Sequence, residues 1–246
     1  MSHFWREQSV LITGASSGIG FSCAEAMVSQ GVKNLLITGR SKPNLDLACA
    51  QLASNSPAPL QITGHRCDHS NKEDIDHLID FLNQDENSPQ VVIANVGLNL
   101  SHELGPKKIQ NTQYDDFLKV MNTNVLNTFH LLSSILKAMK KNRQGRIILI
   151  GSQAYQHGIA GQVAYNVSKA ALVGLKNSIV SEYARNGIYC HLLNPGLVLN
   201  ERTLRLRASK PALESVHGVT ETEVANKIIE LVHLNEPGKN GQEVNI

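Results

Sequence analysis

The chain has 246 residues, of which 41% are apolar and 18% are charged, and its formal net charge is +2 at pH 7. This length suits one open α/β sheet, and the apolar content suffices for a sizeable core. A net charge so close to zero creates no strong field toward nucleic acid or a membrane surface, so we expect neither as a partner.

Cysteine usage and the start of the chain indicate the compartment. The four cysteines, at positions 23, 49, 67 and 190, lie far apart without a CxxC pair, and we interpret them as reduced thiols used in packing. No apolar run reaches the roughly 18 residues of a membrane span. The first eight residues are polar and mixed, unlike a signal peptide. We therefore expect a cytoplasmic protein.

Strand patterns and helix patterns alternate along the chain. Apolar runs predict strands at residues 9–12, 35–37, 61–66, 91–94, 146–150, 188–193 and 243–246. Helical patterns occupy residues 21–30, 45–52, a stretch from a capping box at 70–73 to 82, 113–140, 165–184, and a stretch from a cap at 220–223 to 231. This alternation predicts an α/β fold of Rossmann type, in which a doubly wound, mainly parallel sheet carries helices on both faces of a single domain, residues 1–246.

A glycine-rich turn follows the first predicted strand and precedes the first long helix. Its glycines are spaced Gly14-x-x-x-Gly18-x-Gly20. Glycine is needed where a pyrophosphate must approach the backbone closely, and the helix N-terminus then offers N–H groups and a positive dipole end to the phosphates. The alternative is a tight turn without a ligand, but the strand-turn-helix context favours a dinucleotide site.

The residues after the second strand indicate which dinucleotide is bound. A site that prefers NAD usually has Asp or Glu there to hold the ribose 2′-hydroxyl. The sequence instead reads Thr38-Gly39-Arg40-Ser41, and the nearest acid, Asp46, lies inside the next helix. Arg40 can pair with a 2′-phosphate and Ser41 can add a hydrogen bond, so we predict NADP(H). The alternative is a solvated surface arginine.

Three residues in the second half of the chain form a candidate proton-transfer group. Tyr165 and Lys169 are four residues apart, so on a helix the phenol and the ammonium group share a face. Ser152 lies at the end of the strand that leads into this helix. A cation near a phenol lowers the pKa of the phenol toward the working pH, as an acid/base catalyst requires. Ser168 is a rival serine, but it occupies a different helical face.

Together these features resemble the short-chain dehydrogenase/reductase family, in its compact single-domain form. The matching positions, in family order, are the turn at 13–20, Asp68, Ala94-Asn95-Val96-Gly97, Asn124, Ser152, Tyr165, Lys169 and Asn194-Pro195-Gly196. The chain is similar to the 3-oxoacyl-carrier-protein reductases and, about equally, to the hydroxysteroid and sugar-alcohol members. The match extends over nearly the whole chain.

The resemblance implies a role for each matching residue. Tyr165 would be the proton donor and acceptor at the substrate oxygen, and Ser152 would hydrogen-bond that oxygen. Lys169 would hold the nicotinamide ribose and favour the phenolate, and Asn124 would place a water that links Lys169 to solvent. Further cofactor contacts would come from Gly14, Ser16, Ser17, Gly18, Ile19, Gly20, Arg40, Ser41, Asp68 at the adenine, Asn95 and Gly97 along the middle, Pro195 and Gly196 over the nicotinamide, and Asn200.

The chain departs from the family pattern in three places. Val96 stands where the family usually has Ala, which we expect to tighten the floor of the cofactor site. Asn200 stands where Thr is usual after Pro-Gly and can still bond a carboxamide. The sequence ends at Ile246 without an Asp-Gly-Gly tail, which often supports a subunit contact. The resemblance implies a homodimer or homotetramer, built on the helices 113–140 and 165–184.

The substrate side is less specific. Residues 199–218 are expected to form a flap that carries four basic residues, Arg202, Arg205, Arg207 and Lys210. They would attract an acidic or carrier-linked acyl substrate, or simply form a solvated face. His157 has no second ligand at suitable spacing, so no metal site is expected.

The predicted activity is NADP(H)-dependent hydride transfer between the nicotinamide and a ketone or secondary alcohol, a ketoreductase reaction. The substrate would be a small-molecule carbonyl compound or a carrier-linked acyl group. A catalytically weak NADP(H)-binding sensor or scaffold of the same fold is the alternative. The intact set Asn124, Ser152, Tyr165 and Lys169 argues against that alternative.

Overall fold

The computed structural model describes residues 3–84, 87–200, 203–204, 217–236 and 238–246. Nine strands occur in these ranges: β1 (Ser9–Ile12), β2 (Asn34–Gly39), β3 (Gln61–Arg66), β4 (Val91–Ala94), β5 (Gly145–Ile150), β6 (Ile188–Asn194), β7 (Leu197–Leu199), β8 (Gly218–Thr220) and β9 (Glu243–Asn245). The α-helices there are α1 (His3–Arg6), α2 (Gly18–Ser29), α3 (Lys42–Ser54), α4 (Lys72–Leu82), α5 (Ser101–Leu104), α6 (Tyr114–Met121), α7 (Asn127–Asn142), α8 (Ala154–His157), α9 (Val163–Tyr183) and α10 (Glu221–His233).

Seven strands form one sheet in the order β3-β2-β1-β4-β5-β6-β9, and every neighbouring pair is parallel. The predicted doubly wound fold is therefore confirmed. The strand order reverses between β1 and β4, and in such sheets ligands bind at the carboxyl ends of the strands beside this switch point. The fold thus places the glycine turn, which follows β1, at the expected binding crevice.

Both faces of the sheet are covered, as its apolar strands require. Along β4, Val91 and Ile93 belong to one buried cluster, with side chains from α2, α3 and α10. Val92 and Ala94 belong to a second cluster, with side chains from α4, α7 and α9. All four β4 residues are buried. A strand buried on both faces needs this continuous apolar sequence rather than an alternating one.

The helix predicted at 113–140 is interrupted. A π-helical segment, Asn122–Leu126, separates α6 from α7. The hydroxyl of Thr123 donates to the carbonyl oxygen of Lys119 at 2.9 Å beside this wider turn. Single π turns inside helices occur frequently at functional sites, and this one carries Asn124. The sequence did not reveal this π turn, because one inserted residue changes the spacing of apolar residues along the helix only slightly.

One predicted helix cap is correct and the other is displaced. Thr220 and Glu223 form a reciprocal capping box at the start of α10. At α4, Ser70 was the predicted cap, but its hydroxyl bonds the Asp68 carboxylate at 2.8 Å. The Glu73 N–H is instead capped by the Asn71 side chain at 2.9 Å. Both Ser70 and Asn71 are residue types that cap helices, and the local course of the backbone determines that Asn71 is the N-cap of α4.

The first residues contribute structure that their mixed composition did not predict. The side chain of Trp5, in α1, is fully buried, and its indole N–H donates to Gln30 at 2.8 Å. The Arg146 guanidinium lies 4.6 Å from the ring centre of Phe4. The short parallel pair β7–β8 was also not predicted. Among the described residues, no helix has the length and apolar character to cross a membrane.

Candidate functional site

The glycine turn adopts backbone conformations that require glycine. Gly14 and Gly18 both have φ of +64°. At Gly20 the restriction is one of space, because a Cβ there would lie 2.6 Å from the carbonyl oxygen of Gly14 and 2.7 Å from Nδ2 of Asn95. The backbone therefore closes tightly on itself at this point. At Gly18 the turn presents its backbone without a side chain, as close approach by a phosphate demands.

Side chains of Thr13 and Asn95 fasten this turn to the end of β4. The Thr13 hydroxyl accepts from the backbone N–H of Asn95 at 3.0 Å. In return, the Asn95 side chain donates to the carbonyl oxygens of Thr13 and Gly14, each at 3.0 Å. Thr38, at the β2 end, accepts from the Gly14 N–H at 3.2 Å. Sequence reasoning placed Asn95 along the cofactor and did not single out the two threonines.

The start of α2 provides the donors that a diphosphate needs. Ser17 caps the helix without a side-chain cap bond. The first-turn N–H groups of a helix have no intrahelical partners, so Gly18, Ile19 and Gly20 offer such groups at the positive dipole end. Ser16 lies beside the end of β2, where its hydroxyl would be 3.0 Å from a Cβ on Gly39. These donors and the bare backbone fit a dinucleotide pyrophosphate.

The groups predicted for the adenosine end lie at the ends of β2 and β3. Arg40 is exposed directly after β2, and Ser41 caps α3 without a side-chain cap bond. Asp68 accepts two hydrogen bonds from Ser70. Partial burial alone would raise the Asp68 pKa, but these bonds and the nearby Arg40 and Arg66 hold it below its ordinary value. Asp68 is therefore ionised at neutral pH and accepts hydrogen bonds only.

The ammonium group of Lys169 is buried one helical turn beyond Tyr165. Its Nζ donates to the carbonyl oxygen of Ile150 at 2.7 Å and lies 5.6 Å from the centre of the Tyr165 ring. A Cβ at Gly97 would lie 3.0 Å from the same nitrogen. Burial lowers the pKa of Lys169 to about 8. The structure thus brings three of the predicted positions, Tyr165, Lys169 and Gly97, to one place.

Asn124 and Ser168 connect this group to neighbouring elements. Asn124 accepts from the Leu98 N–H at 2.6 Å and donates to the Leu98 carbonyl at 2.9 Å. It also donates to the Ser168 hydroxyl at 2.9 Å, and Ser168 in turn donates to the carbonyl oxygen of Tyr165 at 2.8 Å. Ser168, the rival serine, is fully buried in these bonds. It supports the helix that carries Tyr165.

Ser152 follows β5 and lies beside the Pro195–Gly196 segment. Its Oγ accepts from the Ala154 N–H at 3.1 Å, which leaves its hydroxyl proton for another acceptor. The backbone N–H of Gln153 donates to the Pro195 carbonyl at 3.1 Å. The Gln153 side chain would lie 3.3 Å from a Cβ on Gly196. Gln153, which sequence reasoning did not single out, therefore joins the serine loop to the segment after β6.

The segment after β7 is described only in part. The Asn200 side-chain oxygen accepts from the Thr203 N–H at 3.0 Å, and the Thr203 hydroxyl accepts from the Asn200 N–H at 2.8 Å. Asn200 is thus engaged in a local turn that the sequence did not predict. The four basic residues of the predicted flap, Arg202, Arg205, Arg207 and Lys210, lie outside the described residues.

A pocket opens beside Tyr165, between α5, α6 and the start of α9. Its walls include Leu100 and Val120, which are buried, and an ion pair in which Lys107 lies 3.0 Å from Asp116. Asn99 donates to Gln162 at 2.9 Å in the same wall. Sequence reasoning missed these residues because they carry no motif, whether in the loop that contains Lys107 or in α6. No group of metal-ligating side chains large enough to hold an ion occurs in the part of the chain that the structure describes.

Comparison with known proteins gives one consistent result. The family model described as short chain dehydrogenase matches residues 8–231. The 3-oxoacyl-[acyl-carrier-protein] reductase FabG of Buchnera aphidicola is 31% identical over 201 residues, which cover 82% of this chain and 78% of that protein. The corresponding reductase MabA of Mycobacterium avium is 29% identical over 211 residues, 85% of this chain and 75% of its own.

Solved structures agree in fold. A 3-oxoacyl-[acyl-carrier protein] reductase from Brucella melitensis with bound NAD has a TM-score of 0.85 at 22% identity, over 98% of this chain and 89% of that chain. ElxO with bound NADP has a TM-score of 0.83 at 24% identity, over 97% and 96% of the two chains. These similar structures carry different cofactors, so they do not decide between NAD and NADP.

The buried ammonium group predicts a pH-dependent stability. The pKa of Lys169 is about 8 in the folded chain, against an ordinary value of 10.5, so between these values the unfolded chain binds more protons. The free energy of unfolding therefore rises with pH across this range. We expect Lys169→Met to remove this contribution. The free energy of unfolding of Lys169→Met minus that of the parent should be larger at pH 7 than at pH 10.5, by on the order of 3 kcal/mol.

Urea unfolding of both proteins at the two pH values measures this difference. Lys227→Met, on the outer part of α10, is the control, because Lys227 is less buried and its loss should change the difference little. A Lys169→Met difference that stays constant with pH would contradict the assignment of a depressed lysine pKa.

Proposed function

Since the chain belongs to the short-chain dehydrogenase family, whose members are oxidoreductases that bind a nicotinamide cofactor, we propose that it is an NADP(H)-dependent ketoreductase. The observation that carries the proposal is the buried Lys169 ammonium group beside the Tyr165 ring. A cation held beside a phenol suits the phenol to acid/base catalysis, which a sensor or scaffold does not need. The named reductase relatives support the same reaction class.

In the proposed reaction, Tyr165 supplies the proton and Ser152 holds the carbonyl oxygen. A bound nicotinamide cofactor supplies the hydride. The Ser152 hydroxyl and the Tyr165 phenol donate hydrogen bonds to the oxygen on which negative charge develops. Donors already in position for that charge stabilise the transition state without reorganisation. In the oxidative direction Tyr165 accepts the proton instead.

Lys169 stabilises the phenolate that remains after Tyr165 has donated its proton. The ammonium group is fixed by the Ile150 carbonyl, so its distance from the phenol ring is set by the strand rather than by a flexible surface side chain. In a dry site the attraction between the two charges is stronger than in water. We propose that Lys169 also holds the nicotinamide ribose, since the segment at Gly97 lies directly beside its Nζ.

Asn124 is a positioning residue in this scheme. Both N–H groups of its amide are in use, on Leu98 and Ser168, and its oxygen accepts one bond. An amide oxygen has two lone pairs, so one acceptor site remains for a water. We propose that such a water links Lys169 to solvent and restores the proton to Tyr165.

The preference for NADP(H) is proposed from the adenosine end. Arg40 is an exposed cation directly after β2, and Asp46, the nearest acid that follows in the sequence, pairs with Lys42. A charge-assisted bond from Arg40 to the 2′-phosphate, with Ser41 beside it, would favour NADP(H). The remaining cofactor positions follow the turn: Gly14, Ser16, Ser17, Gly18, Ile19 and Gly20, then Asp68, Asn95, Gly97, Pro195, Gly196 and Asn200.

The substrate is proposed to be a ketone or an acyl group linked to a carrier, the latter because the named relatives are acyl-carrier-protein reductases. The carbonyl would approach Tyr165 through the pocket of Leu100 and Val120. We also propose that residues 1–246 act as one unit with a flap near 199–218, that the protein works in the cytoplasm, and that it needs neither nucleic acid nor membrane.

The outer surface of α6, α7 and α9 supports a homo-oligomer, a dimer or a tetramer. Exposed apolar side chains there include Leu118 at 38%, Phe129 at 54% and Val167 at 42%. A side chain added at Gly174 would contact no atom of the described residues, so this helix surface is open. Exposed apolar patches of this kind mark interfaces, and a two-fold axis would bury each helix against its copy.

Replacement of Tyr165 tests the catalytic assignment. Tyr165→Phe removes the proton donor and should lower the turnover of ketones by at least about a hundredfold while NADPH binding is retained. The measurement is NADPH oxidation with a panel of diketones, acyl thioesters, steroids and sugars. Tyr114→Phe is the control, because Tyr114 is 76% exposed. Near-normal turnover in Tyr165→Phe would remove the proton-donor role, and no turnover of any carbonyl compound by the parent would favour the sensor alternative.

Replacement of Arg40 tests the cofactor preference. A charge-assisted hydrogen bond contributes roughly 1.5–3 kcal/mol. Arg40→Ala should therefore weaken NADPH by about tenfold or more and leave NADH nearly unchanged. Dissociation constants for both cofactors give the answer, with Lys42→Ala as the control for a lost neighbouring charge. A parent protein that prefers NADH, or equal weakening of both cofactors, would refute the preference.

Light scattering tests the assembly. The chain mass is 26.9 kDa, and we expect a multiple of this value at micromolar concentration. Gly174→Glu should produce the monomer without unfolding it, because the site is open in a single chain but closed in the proposed interface. Leu47→Glu, at another exposed position, should leave the assembly intact. A monomeric parent protein is the contrary result.

A further inference from the structure

The first residue of α10 brings a carboxylate to the glycine turn. α10 packs along α2. A Cβ built on Gly18, the first residue of α2, would lie 3.6 Å from Oε1 of Glu221, and apart from its chain neighbours and the backbone of α2 no other atom of the described residues would lie within 4 Å of it. Glu221 is partly buried. The bare surface that glycine leaves for a phosphate is therefore bordered by a carboxylate of the protein itself.

Apart from the N-terminal ends of α10 and α2, whose dipoles favour an anion, the charged side chains around Glu221 offer little to compensate its charge. On its own helix, Glu223 is held by Thr220 in the capping box. His217, which precedes β8, is exposed and lies near Glu223. Glu25 is an exposed acid of α2, further along that helix, and Arg146, near the start of β5, lies at the opposite edge of the sheet. The partial burial of the Glu221 carboxyl group raises its pKa.

We propose that Glu221 controls the affinity of the turn for the cofactor pyrophosphate, because its ionised carboxylate repels the phosphates and their binding favours uptake of a proton by this carboxylate from solvent. The inference rests on the dinucleotide site proposed above. Two negative charges a few ångströms apart in a partly buried site oppose one another more strongly than in water. Cofactor binding and protonation of Glu221 are then linked, so each promotes the other.

The sign of the pH dependence follows from this linkage. Bound phosphates favour the protonated acid and raise its pKa above the value in the free protein. At a pH below both values Glu221 is neutral and does not affect binding. As the pH rises through this interval, the free protein loses the proton first, and affinity falls to a lower plateau. Glu221→Gln preserves the shape of the side chain without its charge, so it should keep the higher affinity throughout.

The test compares Kd for NADP⁺ in the parent protein and Glu221→Gln from pH 5.5 to 8.0. We expect the variant's advantage in Kd to be smallest at pH 5.5 and to grow with pH, to about tenfold at pH 8.0. Because both proteins contain Arg40 and bind the same 2′-phosphate, titration of that phosphate cancels in the ratio. Calorimetry in buffers of different ionisation enthalpy should also show proton uptake by the parent and less by the variant.

Glu230→Gln is the matched control, since Glu230 is an exposed acid near the other end of α10 and should behave as the parent. Glu221→Ala should change affinity in the same direction as Glu221→Gln. A ratio that stays constant with pH, or weaker binding by Glu221→Gln, would overturn the inference and leave the dinucleotide site intact. A parent protein that binds neither NADP⁺ nor NAD⁺ at any pH would instead overturn the proposed function, and this inference with it.

Discussion

The link between the glycine turn and the end of β4 is the constraint on which the site depends. Glycine gives a turn the conformations it needs but also the freedom to leave them. Here that freedom is restricted because Asn95 bonds the carbonyl oxygens of Thr13 and Gly14, and Thr13 bonds the backbone after β4. With these carbonyl groups engaged, the donors at the start of α2 are the polar groups left for a ligand. The pair of side chains thus fixes the glycine turn at the switch point of the sheet, with the N-terminus of α2 beside it.

Most of the fold was predictable because its signals are local. Most strands of the main sheet contain a short apolar run, and strand-helix alternation implies parallel pairing whatever the details of packing. The errors arose where tertiary contacts decide. The π turn at Asn122–Leu126 carries Asn124, whose side chain bonds Leu98 and Ser168 in other parts of the fold. The cap of α4 is Asn71 rather than Ser70, because Ser70 hydrogen-bonds Asp68. The helix α1 has too few residues to be stable alone and exists because Trp5 finds a buried site.

The candidate site was predictable to the same extent. Tyr165, Lys169, Ser152 and the turn at 13–20 have fixed spacings, and short spacings on one helix translate directly into proximity. The residues that hold them in place lie far away in the sequence: Gln153 bonds Pro195, and Asn124 bonds Ser168. The resemblance marked Asn124 and Pro195, but their partners Ser168 and Gln153 carry no motif, since many polar residues would appear equally suitable before the chain is folded. Glu221 likewise could not be identified from the sequence, because only the packing of α10 on α2 brings it to Gly18.

The buried indole of Trp5 has a practical consequence. The chain contains one tryptophan, and its side chain is fully buried between α1, the end of α2 and the end of α10. These elements meet at the amino-terminal edge of the sheet, opposite the edge that carries the glycine turn and Tyr165. Intrinsic tryptophan fluorescence therefore reports on a single location remote from the cofactor crevice. Its emission will register loss of the folded core, and solvent exposure of that one ring marks the detachment of the first helix.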